Sequence, residues 1–128
     1  MIVIYGIKNR LNPIKARLSD VIQHCMNQAL GLPEDKRSHR FIPMDKEDLY
    51  FPGGRSEAYT VIEINMMKGR KEETKKQLIK ALFREIETEI GISPVDIEII
   101  IKEQPAHCWG FRGMTGDEVK DLKYKVSV

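Results

Sequence analysis

Apolar and polar positions follow two different periods along the chain. Ile2 to Ile7 is a short apolar and β-branched run that ends at charged residues, a pattern typical of a strand. Between residues 14 and 29, apolar side chains recur every three or four positions, as on one face of a helix that Asn12 would cap and Gly31 would end. After Gly31 and Pro33 end the helix, Ser38 to Pro43 predicts a second strand. The first part of the chain therefore predicts a strand, a helix and a strand.

The same order of patterns returns about 60 residues later. Thr60 to Met66 predicts a strand, and Gly91 predicts the end of a long helix. The buried stripe of that helix would be Leu78, Leu82, Ile86 and Ile90. Ile97 to Ile101 is an almost continuous apolar run, which is typical of a strand covered on both faces. We interpret the two halves as a tandem duplication of one β-α-β unit.

Two strands joined by a helix are expected to lie parallel through a right-handed crossover. We therefore predict an α+β fold, an α/β two-layer sandwich with a four-stranded sheet and two helices on one face. A single domain would span residues 1–128, with repeat one over about 1–57, repeat two over about 58–104, and a C-terminal loop and edge strand over 105–128. The edge strand would fall on residues 123–128, against a neighbouring subunit. Nothing in the sequence covers the second sheet face, so we expect the chain to oligomerise.

Composition argues against several classes of protein. The chain of 128 residues carries 21 Lys and Arg against 19 Asp and Glu, and no basic stripe results, so we expect no nucleic-acid partner. No apolar run reaches the roughly 18 residues of a membrane span. The first residues lack the features of a secretory signal, so we expect a cytoplasmic protein without a membrane partner. The two cysteines suit reduced thiols, and neither a chelating spacing nor a nucleotide-binding glycine motif is present, so we expect no metal and no cofactor.

Several short motifs together make the chain similar to the tautomerase superfamily. They are Gly31-Leu32-Pro33 after the first helix, the turn Gly69-Arg70-Lys71-Glu72-Glu73-Thr74-Lys75, the segment Gly91-Ile92-Ser93-Pro94-Val95-Asp96, and the loop Trp109-Gly110-Phe111-Arg112-Gly113. With the duplicated β-α-β order, they resemble the branch typified by malonate semialdehyde decarboxylase over nearly the whole chain. The resemblance implies a tautomerase/MIF-like fold, a homotrimer, and a small anionic substrate of the 2-oxo acid or enol class.

The resemblance also implies an amino-terminal proline whose secondary amine acts as general acid or base, and here the chain differs. Residue 2 is Ile, which ordinarily blocks removal of the initiator methionine, so we expect Met1 to remain. Strand register puts Met1 at the place of the proline, whereas counting from the initiator puts Ile2 there. An α-amino group has an ordinary pKa of about 7.7 to 8.0, so the Met1 amine is a candidate base. The alternative is that Met1 only begins a buried strand.

The turn into the second helix carries the next candidate. Arg70 matches a substrate-binding arginine of the family, and its planar fork suits a carboxylate; the alternative is a solvent-facing turn residue. Lys68 lies where the decarboxylase has a further arginine. A lysine there has the same positive charge but lacks the planar guanidinium that binds a carboxylate through two hydrogen bonds. An aspartate that activates water in the decarboxylase falls on Lys36 here, next to Asp35.

The tryptophan loop supplies the remaining candidates. Trp109 and Phe111 would form an aromatic wall, and Arg112 would be a second cation that polarises an enolate oxygen. His107 is a candidate proton carrier because its unperturbed pKa is near 6.5. The alternative is that His107 bonds to backbone and Trp109 anchors the loop on the core.

Two hypotheses of function follow. The leading one is proton transfer, that is keto–enol isomerisation, on a small 2-oxo acid or enol carboxylate. A decarboxylase or hydratase is less favoured because the position of the water-activating aspartate is Lys36. The alternative is a non-catalytic trimeric binding or scaffold protein that lost the catalytic proline.

Overall fold

The computed structural model describes residues 1–122 and 124–128. Its strands are β1 (Ile2–Ile7), β2 (His39–Met44), β3 (Thr60–Met67) and β4 (Ile97–Gln104), with a small hairpin of β5 (Gly110–Phe111) and β6 (Met114–Thr115). Its helices are α1 (Lys8–Leu11), α2 (Lys15–Leu30) and α3 (Glu72–Ile90). The four longer strands form one sheet in the order β2-β1-β3-β4. This sheet and the two long helices confirm the predicted fold class.

Strand pairing places the two β-α-β units back to back. β1 pairs with β2 in parallel and β3 pairs with β4 in parallel, while β1 and β3 run antiparallel at the centre, where Ile2 lies opposite Ile64. Gly31 and Gly91 both end their helices in the left-handed conformation, with φ of +70° and +85°. Only glycine adopts this conformation without strain, so the helix ends lie where the sequence places them.

The start of α2 differs from the sequence prediction. Asn12 does not cap α2; its backbone N–H instead closes α1 by donating to the Lys8 carbonyl. α2 begins at Lys15, after Ile14. The short α1 has no helical periodicity of its own, but its Leu11 is 2% exposed and packs into the core. Burial of this one side chain, worth roughly 2 kcal/mol, accounts for the extra turn.

The core lies between the sheet and the two long helices. Alternate residues of the central strands point into it, as the period of two requires, and they meet the apolar stripes of α2 and α3. Its fully buried apolar members include Ile2, Ile4, Ile62 and Ile64 from the strands, and Leu11, Leu18, Ile22, Cys25, Leu78, Leu82 and Ile86 from the helices. The helices therefore cover one sheet face.

The second sheet face is open within one chain. Ile42 on β2 and Ile100 on β4 are 42% and 49% exposed. The prediction that β4 is covered on both faces is therefore wrong for the single chain, because its alternate residues reach solvent. At the centre of this face, the Glu63 carboxylate accepts hydrogen bonds from Lys102 and from the Tyr5 hydroxyl. The hydrogen bond between Tyr5 and Glu63 is the main cause of a raised pKa of Tyr5, and burial is the second cause.

The C-terminal segment packs along the turn that leads into α3. The Thr74 hydroxyl donates to the Val128 carbonyl, and Val126 lies against Gly69. Residues 124–128 pair with no strand of their own chain. Because Lys123 lies outside the described residues and the expected partner is another subunit, the edge strand stays a prediction about the assembly. Within the ranges described, no helix is long and apolar enough to cross a membrane.

Candidate active site

A cavity of about 520 Å³ lies at the end of the sheet where β1 and β2 begin and β3 ends. The C-terminal end of α2, the β5–β6 hairpin and the C-terminal segment complete its walls. Its polar and charged lining residues are Met1, Lys36, Ser38, Arg40, Asn65, Arg70, Arg112 and Asp121. Its apolar and aromatic lining residues include Met26, Leu30, Leu32, Met66, Met67, Trp109, Phe111, Leu122 and Tyr124.

The amino group of Met1 is held in this cavity by strand register. It donates to the Asn65 carbonyl at 3.0 Å, and the Asn65 backbone N–H donates back to the Met1 carbonyl at 2.8 Å, so the antiparallel pairing of β1 and β3 extends to the first residue. Burial, followed by the positive charges of Arg40 and Arg70, lowers the pKa of this amine below its usual value of 8.0. More of the amine is therefore neutral near pH 7 than in a free peptide.

Arg70 is the most buried cation of the cavity. It is 8% exposed, its Nη1 donates to the Met67 carbonyl at 3.2 Å, and its guanidinium lies 5.9 Å from the ring centre of Tyr124. Its Nε has no hydrogen-bond partner among the residues described. Burial lowers the pKa of Arg70, although a guanidinium stays charged in proteins. A largely buried guanidinium that lines a cavity provides a binding position for an anion.

Positive charge dominates the rest of the lining. Among the residues that the structure describes, four cationic side chains, Lys36, Arg40, Arg70 and Arg112, face the cavity together with the Met1 amine, against the one carboxylate of Asp121. Asp121 accepts from Arg112 through both oxygens, at 2.9 Å and 3.3 Å. The cavity therefore favours small anions over cations.

The aromatic loop is fixed by backbone hydrogen bonds. Trp109 Nε1 donates to the Gln104 carbonyl at 3.3 Å, and the Trp109 carbonyl accepts from the Gly116 N–H at 2.7 Å. Phe111 follows on β5, with the Arg112 guanidinium 5.7 Å from its ring centre. An indole anchored in this way is both a loop anchor and a wall of the cavity, so the two interpretations of Trp109 hold together.

Five of the residues selected from the sequence line one cavity, and three do not. Met1, Arg70, Trp109, Phe111 and Arg112 are brought together.

The other three lie outside the cavity of the single chain. Ile2 is 2% exposed and points into the core, because adjacent strand residues face opposite sides. Of the two positions proposed for the missing proline, it is Met1 that lines the cavity. Lys68 is exposed, and its backbone N–H donates to the Gln104 carbonyl. His107 is exposed in the short 3-10 turn Ala106–Cys108.

Sequence reasoning missed several residues that line the cavity. Arg40 lies opposite Val3 in the β1–β2 pairing and contacts the Met1 sulfur. The parallel alignment of the first and second strands, which the β-α-β unit already predicts, is the signal that could have found it. Asp121 comes from a segment with no periodicity, and Tyr124 belongs to the edge strand predicted against a neighbouring subunit, so the sequence placed neither of them at this cavity. Among the residues that the structure describes, no group of three His, Cys, Asp or Glu side chains could hold a metal ion.

Comparison with known proteins agrees with this architecture. A family model described as "Tautomerase enzyme" matches residues 36–112. The structure is similar to malonate semialdehyde decarboxylase, with 23% identity and a TM-score of 0.80 over 89% of this chain and 92% of that one. A fused 4-OT solved as an asymmetric trimer has 22% identity and a TM-score of 0.80, over 91% and 95% of the two chains. A member of the cis-3-chloroacrylic acid dehalogenase family has 15% identity and a TM-score of 0.78, over 89% and 81%. At these identities the solved structures establish a shared fold, and the family match over more than half of the residues shows that the chain belongs to the tautomerase family.

Proposed function

We propose that the chain is an enzyme that transfers a proton between oxygen and carbon of a small 2-oxo acid or enol carboxylate. One observation carries the proposal: the Met1 amine, with its lowered pKa, and the buried Arg70 open into the same positively charged cavity. A base and an anion anchor in one cavity of this size are what keto–enol isomerisation of a carboxylic acid requires.

The roles of the side chains follow from their chemistry. Arg70 pairs with the substrate carboxylate, and the neutral Met1 amine accepts the enol O–H proton. The resulting ammonium gives a proton to the substrate carbon, so an O–H bond is exchanged for a C–H bond and the C=C bond for a C=O bond. The cations around the cavity stabilise the negative charge that develops on the enolate oxygen. Trp109 and Phe111 shape the cavity around the unsaturated carbon chain.

Decarboxylation and water addition are less well supported by this cavity. Both would use a carboxylate that activates water, yet Lys36 is the residue of the 3-10 turn Glu34–Lys36 that lines the cavity. The carboxylate that does face the cavity, Asp121, is paired with Arg112. A Lys ammonium repels the proton that a water-activating base must accept, so proton transfer by the Met1 amine remains the better-supported reaction.

The proposed assembly is a homotrimer. The open sheet face exposes Ile42 and Ile100 and needs a partner, and fused 4-OT structures with the same fold are described as trimers. Met1 and Arg40 lie at the rim of this face, so a neighbouring subunit would also border the cavity.

A second candidate is a non-catalytic trimeric binding or scaffold protein. The observation that favours it is the sequence itself, which has Met and Ile at positions 1 and 2 where the family resemblance implies a proline. A primary amine is a less specialised base than a ring amine, and a fold does not carry a reaction with it. This candidate predicts that carboxylates bind and are not turned over.

The test measures turnover of a panel of enolised 2-oxo acids by the change in their ultraviolet absorbance. Intact mass first establishes that Met1 is present and unblocked. Acetylation of the Met1 amine should abolish turnover, and Arg70→Lys should lower kcat/KM by about tenfold to a hundredfold, because the charge stays and the fork is lost. Lys71→Ala, which removes an exposed neighbouring cation, is the matched control and should leave turnover unchanged. Carboxylate binding without turnover across the panel would favour the scaffold candidate, and turnover that survives amine blocking would overturn the role of Met1.

A further inference from the structure

Asp121 is the unexpected member of a cavity otherwise lined by cations. Its Oδ1 accepts from Arg112 Nη2 at 2.9 Å and its Oδ2 accepts from Nη1 at 3.3 Å, which is the two-pronged geometry that an arginine uses for a bound carboxylate. The Arg112 hydrogen bond lowers the pKa of Asp121, and the charge of Lys36 acts in the same direction. A carboxylate of the chain therefore pairs with one of the cavity's cations and is influenced by the charge of a second.

The backbone is strained at Arg112. Arg112 has φ of +54° and Gly113 has φ of +78°, so both central residues of the two-residue turn between β5 and β6 are left-handed. Such turns favour Asn or Gly at the first position, and a residue with a Cβ is strained in the left-handed conformation. The chain retains Arg where the turn alone would favour Asn.

Two of the cavity's three described arginines, Arg70 and Arg112, therefore differ in their pairing. Arg70 is buried and forms no salt bridge with any residue that the structure describes, whereas Arg112 is neutralised by Asp121. An acid with one carboxylate can pair with Arg70 and leave Asp121 in place. A second carboxylate that pairs with Arg112 would have to compete with Asp121 and would be repelled by it.

We propose that Asp121 is a specificity-determining residue that occupies Arg112 and restricts the cavity to acids with a single carboxylate. This inference rests on the proposed function, because it takes the cavity to be the carboxylate-binding site. It adds the charge class of the substrate and the residue that sets it.

The experiment measures binding of butanoate and succinate by calorimetry near neutral pH and at low ionic strength. The two probes share a four-carbon chain and differ in their number of carboxylates, and neither needs turnover. Asp121→Asn should raise the affinity for succinate relative to butanoate by about threefold to tenfold, because the competing and repelling charge is removed. High salt should reduce this gain, because the Arg112 and Asp121 side chains are 45% and 73% exposed and their charges are screened.

Two further variants isolate the cause. Asp117→Asn removes an exposed carboxylate outside the cavity, so it should not change the ratio of the two affinities. In Arg112→Ala combined with Asp121→Asn, the gain should disappear, because the cation that would receive the second carboxylate is gone. Thermal melting shows that each variant is folded.

The outcomes separate this inference from the function on which it rests. A gain in succinate affinity that is equal in Asp117→Asn, or that persists without Arg112, would overturn the role of Asp121. Binding of both probes with no change in Asp121→Asn would also overturn it and leave the carboxylate site standing. If the native protein binds neither probe, the carboxylate site itself is wrong and this inference fails with it.

Discussion

At the scale of single residues, His39 is a partly buried titratable side chain that the proposed chemistry does not use. It lies between Ser38 and Arg40, two residues that line the cavity, and its Nδ1 shares a hydrogen bond of 2.8 Å with the Ser19 hydroxyl. Burial, followed by the charge of Arg37, lowers the pKa of His39 to about 4. Folding therefore keeps this imidazole neutral at pH values where the unfolded chain protonates it.

His39 should make the free energy of unfolding depend on pH. Between pH 6.5 and about 4 the unfolded state binds the proton and the folded state does not, so stability falls as the pH is lowered through this window. The expected loss is about 1–3 kcal/mol, reduced from the full linkage value because the ring is partly exposed. Urea unfolding at both ends of the window should show a smaller loss in His39→Gln. The exposed His107→Gln should keep the native pH dependence, and an unchanged slope in His39→Gln would contradict the assignment.

Whether the sequence identifies a residue of the cavity depends on where that residue lies in the chain. Arg70 and Trp109 lie in motifs that resemble a known family, so the sequence alone identifies them as site residues. Lys68 was selected by the same motif, but it is exposed while Arg70, two positions later, is 8% exposed. The change of chain direction at Gly69 separates them, and no pattern of residue types reports such a change. Asp121 reaches the cavity only through the path of the tail, which has no periodicity to predict it.

At the scale of elements, the turn between β3 and α3 positions the anion anchor. Gly69 has φ of +148°, and a Cβ placed there would lie 2.9 Å from Val126 Cγ1. The backbone conformation is unfavourable for any other residue, and the C-terminal segment packs where a side chain would go. One glycine thus allows both the turn that carries Arg70 and the packing of the tail beside it.

Gly69→Ala should therefore damage stability and binding together. The substitution adds strain at a positive φ and a contact that Val126 must yield to, so we expect a loss of about 1–3 kcal/mol in the free energy of unfolding. Because Arg70 is the next residue, binding of butanoate should weaken in the same variant. Gly53→Ala is the matched control, since a Cβ there meets nothing within 4 Å, and it should change stability by less than about 0.5 kcal/mol. A Gly69→Ala protein as stable as native would show that the tail does not pack on this turn.

The elements were predicted more accurately than their connections. The four strands and two long helices follow apolar periodicity, and their bounds differ from the prediction by a few residues at most. α1 was missed because a four-residue helix cannot show a period, and its formation depends on burial of Leu11, a tertiary contact. The same reason applies to residues 105–122, where the hairpin and the segment after it are positioned by packing against the cavity rather than by a pattern of their own.

At the scale of the whole molecule, the open sheet face is the feature that one chain cannot satisfy. The helices cover one side of the sheet, while the other exposes Ile42 and Ile100 around the polar cluster of Tyr5, Glu63 and Lys102. An uncovered sheet face that exposes apolar side chains is a candidate protein interface. The sequence predicts the open face because it contains no further helix to cover it. It does not predict the polar cluster at the centre, because the position of that cluster depends on the register between β1, β3 and β4.

The assembly can be tested by placing a charge on this face. Ile42→Glu puts a carboxylate on β2 where we expect a neighbouring subunit, and burying an unpaired charge costs several kcal/mol, so the variant should dissociate. Light scattering at micromolar concentration should give three times the chain mass of 14.8 kDa for the native protein and one chain mass for the variant. Val95→Glu is the control, because Val95 is an apolar residue that is 59% exposed in the 3-10 turn Pro94–Asp96, away from the sheet face. A native monomer would contradict the trimer, and dissociation in both variants would mean that the sheet face is not the interface. If Ile42→Glu alone dissociates, its effect on butanoate binding would also show whether the cavity needs a neighbouring subunit, since Met1 and Arg40 lie at the rim of the same face.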